Sequence, residues 1–317
     1  MPGTKETDHK GKWLKIDVSA PAELVDALSD FISELGAQGV YQESLEPVAE
    51  GDFPEPAAQE IIKAHLPADV RVDARIKKLK SYIKSLVEIF PKLPLVTFTT
   101  EIIEDPDWGE AWKKYFKPLR VSKNIVIKPT WERYTPHGHD IVIEIDPGMA
   151  FGTGQHASTR MCLEAIEDLM LRDRMGRKWR VLDVGTGTGI LGIACANLGA
   201  SRVVSVDNDA KATEIAKENV LINHVEDIVE IHTSDVAAIH ETFNLIVANL
   251  TAKVLLKLKD HLLGLLEPAG FLVMSGIIDQ NRGDIEDNFF TGPFASHRVI
   301  SEKEWVCYVL LKDGGKH

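Results

Sequence analysis

The stretch VLDVGTGTGILG, Val181 to Gly192, decides the fold. Its opening residues are a short apolar run that reads as a strand, and the glycines that follow break it. Glycines at 185, 187 and 189 let the backbone pass close to a ligand, and the loop opens the N-terminus of the next helix towards it. Working outward, strands and helices alternate: RVLDVG, a helix to Leu198, RVVSVD, a helix to Asn223, IVEIH, FNLIVAN, a helix to Leu266 and FLVMSGII. Short apolar strands alternating with helices mean a parallel, doubly wound sheet covered on both faces. Two closing strands, 296–301 and 304–311, fit an antiparallel hairpin at the sheet edge. Before the glycine loop lie strands at 120–128 and 140–146 and a helix from Gln155 to Met170.

The first third of the chain has a different grammar. WLKIDV, 13–18, alternates apolar and polar as a half-buried strand does. Leu24, Val25, Leu28, Phe31, Ile32 and Leu35 keep helical spacing until Gly36 ends the run, and AQGVYQES reads as a strand. An acidic, proline-containing stretch, Glu43 to Pro56, is a loop. A second unit follows: strand VRVDARI (70–76), a helix with Leu79, Ile83, Leu86, Val87 and Phe90 on one face, and strand LVTFTTEII (95–103). The order predicts an antiparallel sheet with two helices on one face, a ferredoxin-like α+β domain. Such folds can bind RNA, but the glycine-aromatic strand signature of those modules is missing. Dimerisation and substrate docking both remain open. Residues 105–118 place Trp108, Trp112 and Tyr115 on one helical face behind an Asp-Pro start, which predicts a linker helix. The expected division is a disordered tail at 1–11, a ferredoxin-like domain at 12–104, the linker at 105–118 and the doubly wound domain at 119–317.

Composition narrows the function classes. A chain of 317 residues, 44% hydrophobic and 26% charged, is an ordinary globular protein with room for two domains. No apolar run reaches the ~20 residues of a membrane span, and MPGTKETDHKGK has no signal-peptide core. Cys162, Cys195 and Cys307 are scattered and read as buried thiols in a reducing cytoplasm. His137 and His139 have no companions at ligand spacing, so no metal site is expected. The net charge of −12 speaks against a general affinity for nucleic acid and suits a basic protein partner. Two stretches, Arg71–Lys84 and Lys113–Lys128, carry six basic residues each and read as solvated element faces.

The glycine loop itself admits two readings. Gly187, Gly189 and Gly192 match G-x-G-x-x-G with Asp207 twenty residues beyond Gly187, as a dinucleotide site requires. Against that, the strand ends at Gly185, so the turn reads G-x-G-x-G. Asp183 is badly placed beside a pyrophosphate but well placed near a cationic amine. FNLIVANL ends a later strand in Asn249, where methyltransferases commonly present their acceptor motif. Loop, Asp207 and Asn249 together point to S-adenosylmethionine. Asp207 would accept hydrogen bonds from both ribose hydroxyls. Asp235, after IHTS, would meet the adenine amino group or else cap a helix. A second glycine-rich stretch, FGTGQHAST at 151–159, reads on its own as a helix N-terminus capped by Ser158 or Thr159.

IDPGMAFGTGQHASTR, VLDVGTGTGIL, SVDND and LIVANL occur in the order and spacing of the bacterial PrmA family, which the chain resembles over residues 12–312. DWGEAWKKYFKPLRV and IKPTWE resemble that family as well. The resemblance implies a seven-stranded class I methyltransferase domain of Rossmann-like fold behind a substrate-recognition domain, in a cytoplasmic monomer. The implied substrate is protein eleven of the large ribosomal subunit, at the stalk base, modified on lysine side-chain and N-terminal amines. It also answers the second loop: 151–159 is a lid over the cofactor, and 185–189 is its floor. Phe151 would supply an apolar surface, Thr159 would reach the cofactor and His156 would stand near the methyl group or the entrance, as a candidate general base. Gly152 and Gly154 would hinge the lid. Ser158 stands where Thr is commoner in the family, and keeps the hydroxyl.

For the chemistry, the Asn249 side-chain oxygen could accept an N–H of the substrate amine and the Leu250 carbonyl a second. Asn249 is followed by Leu250-Thr251-Ala252 rather than paired prolines and an aromatic. The roomier pocket fits repeated methylation of one nitrogen, up to trimethylation. Three alternatives stand beside this reading: a methyltransferase of another amine, an NAD-dependent oxidoreductase, and a non-enzymatic ribosome-assembly factor.

Overall fold

A computed structural model describes residues 12–37, 39–42, 59–91, 93–104, 113, 116–146, 154, 156–173 and 176–314. The tail at 1–11, the acidic stretch 43–56 and most of the expected linker, with Trp108, Trp112 and Tyr115, lie outside the described residues. The chain divides into two compact units, Met1–Tyr115 and Phe116–His317.

The first unit runs β1 (Lys12–Ala20), α1 (Ala22–Glu34), β2 (Gly39–Gln42), β3 (Glu60–Pro67), α2 (Val72–Ile89) and β4 (Thr97–Glu104). Its sheet has the order β2-β3-β1-β4, antiparallel at each pairing. Strand alternation sends Leu14, Ile16 and Val18 of β1 and Ile62, Ala64 and Leu66 of β3 into one core. Leu24, Leu28 and Ile32 of α1 and Leu79, Ile83 and Leu86 of α2 close it. This is the ferredoxin-like arrangement, with one correction. VRVDARI is not a strand: its last five residues open α2, and the third strand is EIIKAHLP, 60–67. The reason is Arg75, which is 7% exposed. Its Nη1 donates to the Pro67 carbonyl at 2.7 Å and to Asp69 Oδ1 at 3.0 Å, fastening the helix to the end of β3. The neighbouring Lys77, Lys78, Lys80 and Lys84 are exposed, a solvated helix face. Removing Asp69 strands the guanidinium, so Asp69→Ala is expected to cost about 2 kcal/mol. Urea denaturation of the whole chain reads this; an unchanged midpoint would show that the pair is dispensable.

The second unit begins with a small sheet of β5 (Leu119–Arg120), β6 (Ile125–Lys128) and β7 (Ile141–Glu144), separate from the main one. The single strand expected at 120–128 is therefore two, because Glu167 holds a turn between them. Its carboxylate accepts from Lys123 N at 3.1 Å and Asn124 N at 2.8 Å. Then follow α3 (Ala157–Arg172), β8 (Arg180–Val184), α4 (Ile190–Asn197), β9 (Arg202–Asp207), α5 (Ala210–Ile222), β10 (Val229–Thr233) and β11 (Phe243–Asn249). The chain ends with α6 (Ala252–Leu265), β12 (Leu266–Ile278), α7 (Arg282–Phe289), β13 (Phe294–Glu302) and β14 (Trp305–Lys312). The seven-stranded sheet has the order β10-β9-β8-β11-β12-β14-β13. The first five strands are parallel, and β14 lies antiparallel between β12 and β13.

The central strands β8, β9 and β11 are buried on both faces, which is why they are mostly apolar, whereas the edge strands β10 and β13 are partly exposed and more polar. Leu245 and Val247 of β11 point into a core with α3 and α4, while Ile246 and Ala248 point into another with α6 and α7. All three cysteines are buried.

Candidate active site

The chain leaves β8 for β9 on one side and later returns to β11 on the other, so strand order reverses at β8. A crevice outside the carboxyl ends of the strands at such a point is where doubly wound sheets bind ligands. Gly185–Gly189, Asp207 and Asn249–Leu250 all sit at those ends. A cleft of about 370 Å³ lined by Arg172, Arg177, Trp179, Phe271 and Arg298 lies at the opposite ends, where Asp168 already binds Arg172 and Arg298.

Positive φ at Gly185, Gly187 and Gly189 coils the loop tightly over the start of α4. Gly185 N and Thr186 N donate to the Val206 carbonyl at 2.9 and 3.1 Å, tying the loop to β9. Asp207, half-buried at the end of β9, accepts from Gly187 N at 3.0 Å and Asp209 N at 3.0 Å. This carboxylate organises the loop as well as facing the crevice.

Asp183 is 1% exposed. Its Oδ2 accepts from Thr186 Oγ1 at 2.6 Å, Gly192 N at 3.1 Å and Ser205 Oγ at 3.5 Å, and its Oδ1 has no partner among the described residues. Burial pushes the carboxyl up to about 6, against the hydrogen bonds that favour its ionised form. Thr186 and Ser205 were not singled out in the sequence, and Gly192 entered only as the last glycine of G-x-G-x-x-G; their signal as partners of Asp183 is only their spacing around it.

At the end of β11, Asn249 Nδ2 donates to Thr159 Oγ1 at 3.2 Å, and Oδ1 is buried with no partner among the described residues. Thr159 is fully buried in the first turn of α3, and Leu250 N donates to the Ser275 carbonyl of β12 at 3.0 Å. The end of β11 is thus tied by a hydrogen bond to the first turn of α3, where the glycine-rich stretch 151–159 ends. Phe151 and Gly152 lie outside the described residues. Gly154 is buried with φ +81°, a left-handed backbone that favours glycine, and a side chain there would also meet Ile127 Cδ1. The cap of α3 is His156, not Ser158 or Thr159. Its Nδ1 accepts from Ser158 N at 3.3 Å and lies 2.6 Å from Ser158 Oγ, while its ring meets Trp305 edge to face at 4.6 Å. Asp235 is exposed and caps a short 3-10 turn by accepting from Ala237 N at 2.8 Å.

A seven-stranded doubly wound sheet with its last strand reversed, a glycine loop at the switch point and a polar strand end beside it define a class I methyltransferase. The family model described as "Ribosomal protein L11 methyltransferase (PrmA)" matches residues 12–313. The chain belongs to that family. Proteins named ribosomal protein L11 methyltransferase are similar to it along nearly their whole length. That of Pelobacter propionicus is 38% identical over 302 residues, covering 95% of this chain and 98% of that protein. That of Heliobacterium modesticaldum is 37% identical over 318 residues, covering 96% and 98%. A crystal structure of a ribosomal protein L11 methylase from Lactobacillus delbrueckii subsp. bulgaricus superposes with a TM-score of 0.56 and 30% identity. It covers 62% of this chain and 100% of that one.

The cofactor is S-adenosylmethionine, and the residues present fit it. A ligand rich in N–H and O–H donors would find two buried acceptors with no partner among the described residues, Asp183 Oδ1 and Asn249 Oδ1, and the half-buried carboxylate of Asp207. No helix among the described residues is long and apolar enough to cross a membrane.

Proposed function

We propose that this chain methylates ribosomal protein L11 in the cytoplasm, on lysine side-chain and N-terminal amines, adding up to three methyl groups to one nitrogen. The observation that carries this reading is the Asn249 amide, anchored through Nδ2 to Thr159 with a buried Oδ1 left to accept. When bound, S-adenosylmethionine supplies a methyl group on a sulfonium, whose departure leaves a neutral thioether. The protein then needs to align a neutral amine rather than supply a strong acid. Asn249 Oδ1 accepts an N–H of that amine and the Leu250 carbonyl takes a second, which turns the nitrogen lone pair towards the methyl. Deprotonating a free lysine at pH 7 costs roughly 4–5 kcal/mol, and an α-amine about 1 kcal/mol. Burial beside a cation lowers that cost by disfavouring the ammonium.

Asp207 holds the ribose, the loop 185–189 lies under the cofactor, and Asp183 faces its ammonium. Thr159 reaches it from the start of α3, and Phe151 supplies an apolar surface. Asp235 takes the adenine amino group only by giving up or sharing its cap. His156 as general base is the weaker assignment, because capping and the edge-to-face contact with Trp305 already engage its ring. The first unit serves as the substrate-recognition domain, and the enzyme works as a monomer on L11, either alone or on the ribosome.

Intact mass of purified L11 after incubation with this protein and S-adenosylmethionine tests the proposal. A ladder of single-methyl steps ending in multiples of three is expected. No mass change, with S-adenosylhomocysteine still bound, would refute L11 as the acceptor while keeping the cofactor.

A further inference from the structure

Gly276 lies inside β12 with φ +79°, where a strand has no ordinary use for a left-handed residue. On one side β12 pairs in regular parallel register with β11, Ala248 opposite Met274 and Asn249 opposite Ser275. On the other side its register with β14 shifts between Met274 and Ile277, a bulge centred on Ser275–Gly276. On the β11 side the bulge meets Leu250. Leu250 N donates to the Ser275 carbonyl, and a Cβ on Gly276 would stand 2.7 Å from Leu250 O, 2.9 Å from its C and 3.0 Å from its N. These are peptide atoms, so relief requires the chain itself to move. The Leu250 side chain is held from elsewhere: its Cδ2 lies 2.5 Å from where a Cβ on Gly185 would stand. Leu250 therefore occupies the gap left by two glycines, one in the floor loop and one in β12.

We propose that Gly276 is a positioning residue for methyl transfer, leaving the room in which the Asn249–Leu250 peptide is seated and the acceptor nitrogen held. The inference rests on the methyl-transfer reading and adds to it a residue outside the glycine loop and the acceptor segment. Alanine at 276 pushes the Leu250 peptide, and with it the Leu250 carbonyl and the Asn249 amide. Misplacement on the order of 1 Å can cost a reaction ~100-fold, because alignment is what the site supplies.

A glycine that only permits the bulge would lose stability when replaced and nothing else, so a matched control is needed. Gly270, at the other end of β12, is as crowded: a Cβ there would stand 2.8 Å from Glu267 O and 2.9 Å from Leu266 Cδ1. The test measures kcat on L11, S-adenosylhomocysteine affinity and hydrogen exchange of the Leu250 amide in full-length Gly276→Ala and Gly270→Ala. For Gly276→Ala, kcat per folded molecule is expected to fall about tenfold or more, with affinity within about threefold. Its Leu250 amide should exchange faster, whereas Gly270→Ala should lose stability and keep kcat. An unchanged kcat for Gly276→Ala, or an equal fall in both variants, overturns the proposal. Should Gly276→Ala fail to fold, Leu250→Ala loosens the same seat from the Gly185 side; a lowered kcat at unchanged affinity supports the role and a full kcat overturns it. A wild-type chain that binds S-adenosylhomocysteine yet methylates nothing would refute the methyl-transfer reading instead. The seat would then be judged by the Leu250 amide, and unaltered exchange in Gly276→Ala would refute it.

Discussion

Asn249→Ala is expected to lower kcat for methyl transfer by about 10²–10³-fold, the usual cost of losing one preorganised polar group at a reacting centre. S-adenosylhomocysteine affinity should fall by less than about tenfold, since ground-state contacts are a smaller part of what the amide supplies. The amide of Asn249 is fixed at both ends, by the backbone of β11 and by its bond to Thr159 Oγ1 at 3.2 Å. Its Oδ1 therefore needs no reorganisation to accept an amine hydrogen. Alanine removes both the acceptor and the link between the end of β11 and the first turn of α3. Asn249→Asp separates these effects: it keeps an acceptor but adds a charge that favours the ammonium. Its rate should recover in part only as pH rises, while that of Asn249→Ala stays low throughout. Full turnover with normal cofactor affinity in Asn249→Ala would remove Asn249 from the mechanism.

How far the sequence reveals such a site depends on what each residue must do. Strands buried on both faces have to be apolar throughout, so β8, β9 and β11 are plain in VLDV, RVVSVD and FNLIVAN. The loop 185–189 and Asn249 are legible for the same reason, standing where those runs stop. The half-buried elements of the first unit are harder. In EIIKAHLP the adjacent Ile61 and Ile62 and the buried His65 blur the alternation of Ile62, Ala64 and Leu66, whereas VRVDARI imitates a strand through Val70, Val72 and Ile76. What turns the latter into a helix is the burial of Arg75 against Asp69, a pairing that depends on tertiary structure. α7 is invisible for a similar reason, with only Ile285 and Phe289 buried along it. Gly276 carries no local signal either: its requirement is set by a peptide on the neighbouring strand. His156 shows the converse, a residue type that suggests chemistry in a position where it caps a helix.

Asp183 makes the second large prediction, a pH dependence opposite in sign to that of most carboxylates. Its carboxyl is raised from an ordinary 3.8 to about 6 by burial. The folded state therefore binds this proton more tightly than the unfolded one. The resulting stabilisation is complete below about 3.8 and lost as pH rises through about 6. At 1.36 kcal/mol per unit the full effect is about 3 kcal/mol, of which about 2 kcal/mol is lost between pH 4 and pH 7 in the cofactor-free protein. Asp69, Glu230 and Glu286, held low by neighbouring arginines, slope the other way, so the difference between wild type and Asp183→Asn isolates the group. That difference should grow in favour of the variant from pH 4 to pH 7, in parallel denaturant titrations. The ligand reverses the balance. An ammonium facing Oδ1 favours the ionised carboxylate, so S-adenosylhomocysteine affinity should weaken by roughly tenfold from pH 7 to pH 5. In Asp183→Asn the affinity should be lower and independent of pH over that range. Calorimetric titration of both proteins at pH 5, 6 and 7 decides the matter: a flat wild-type profile would mean that Asp183 faces no cation, and that its burial serves only the loop hydrogen bonds from Thr186 and Gly192.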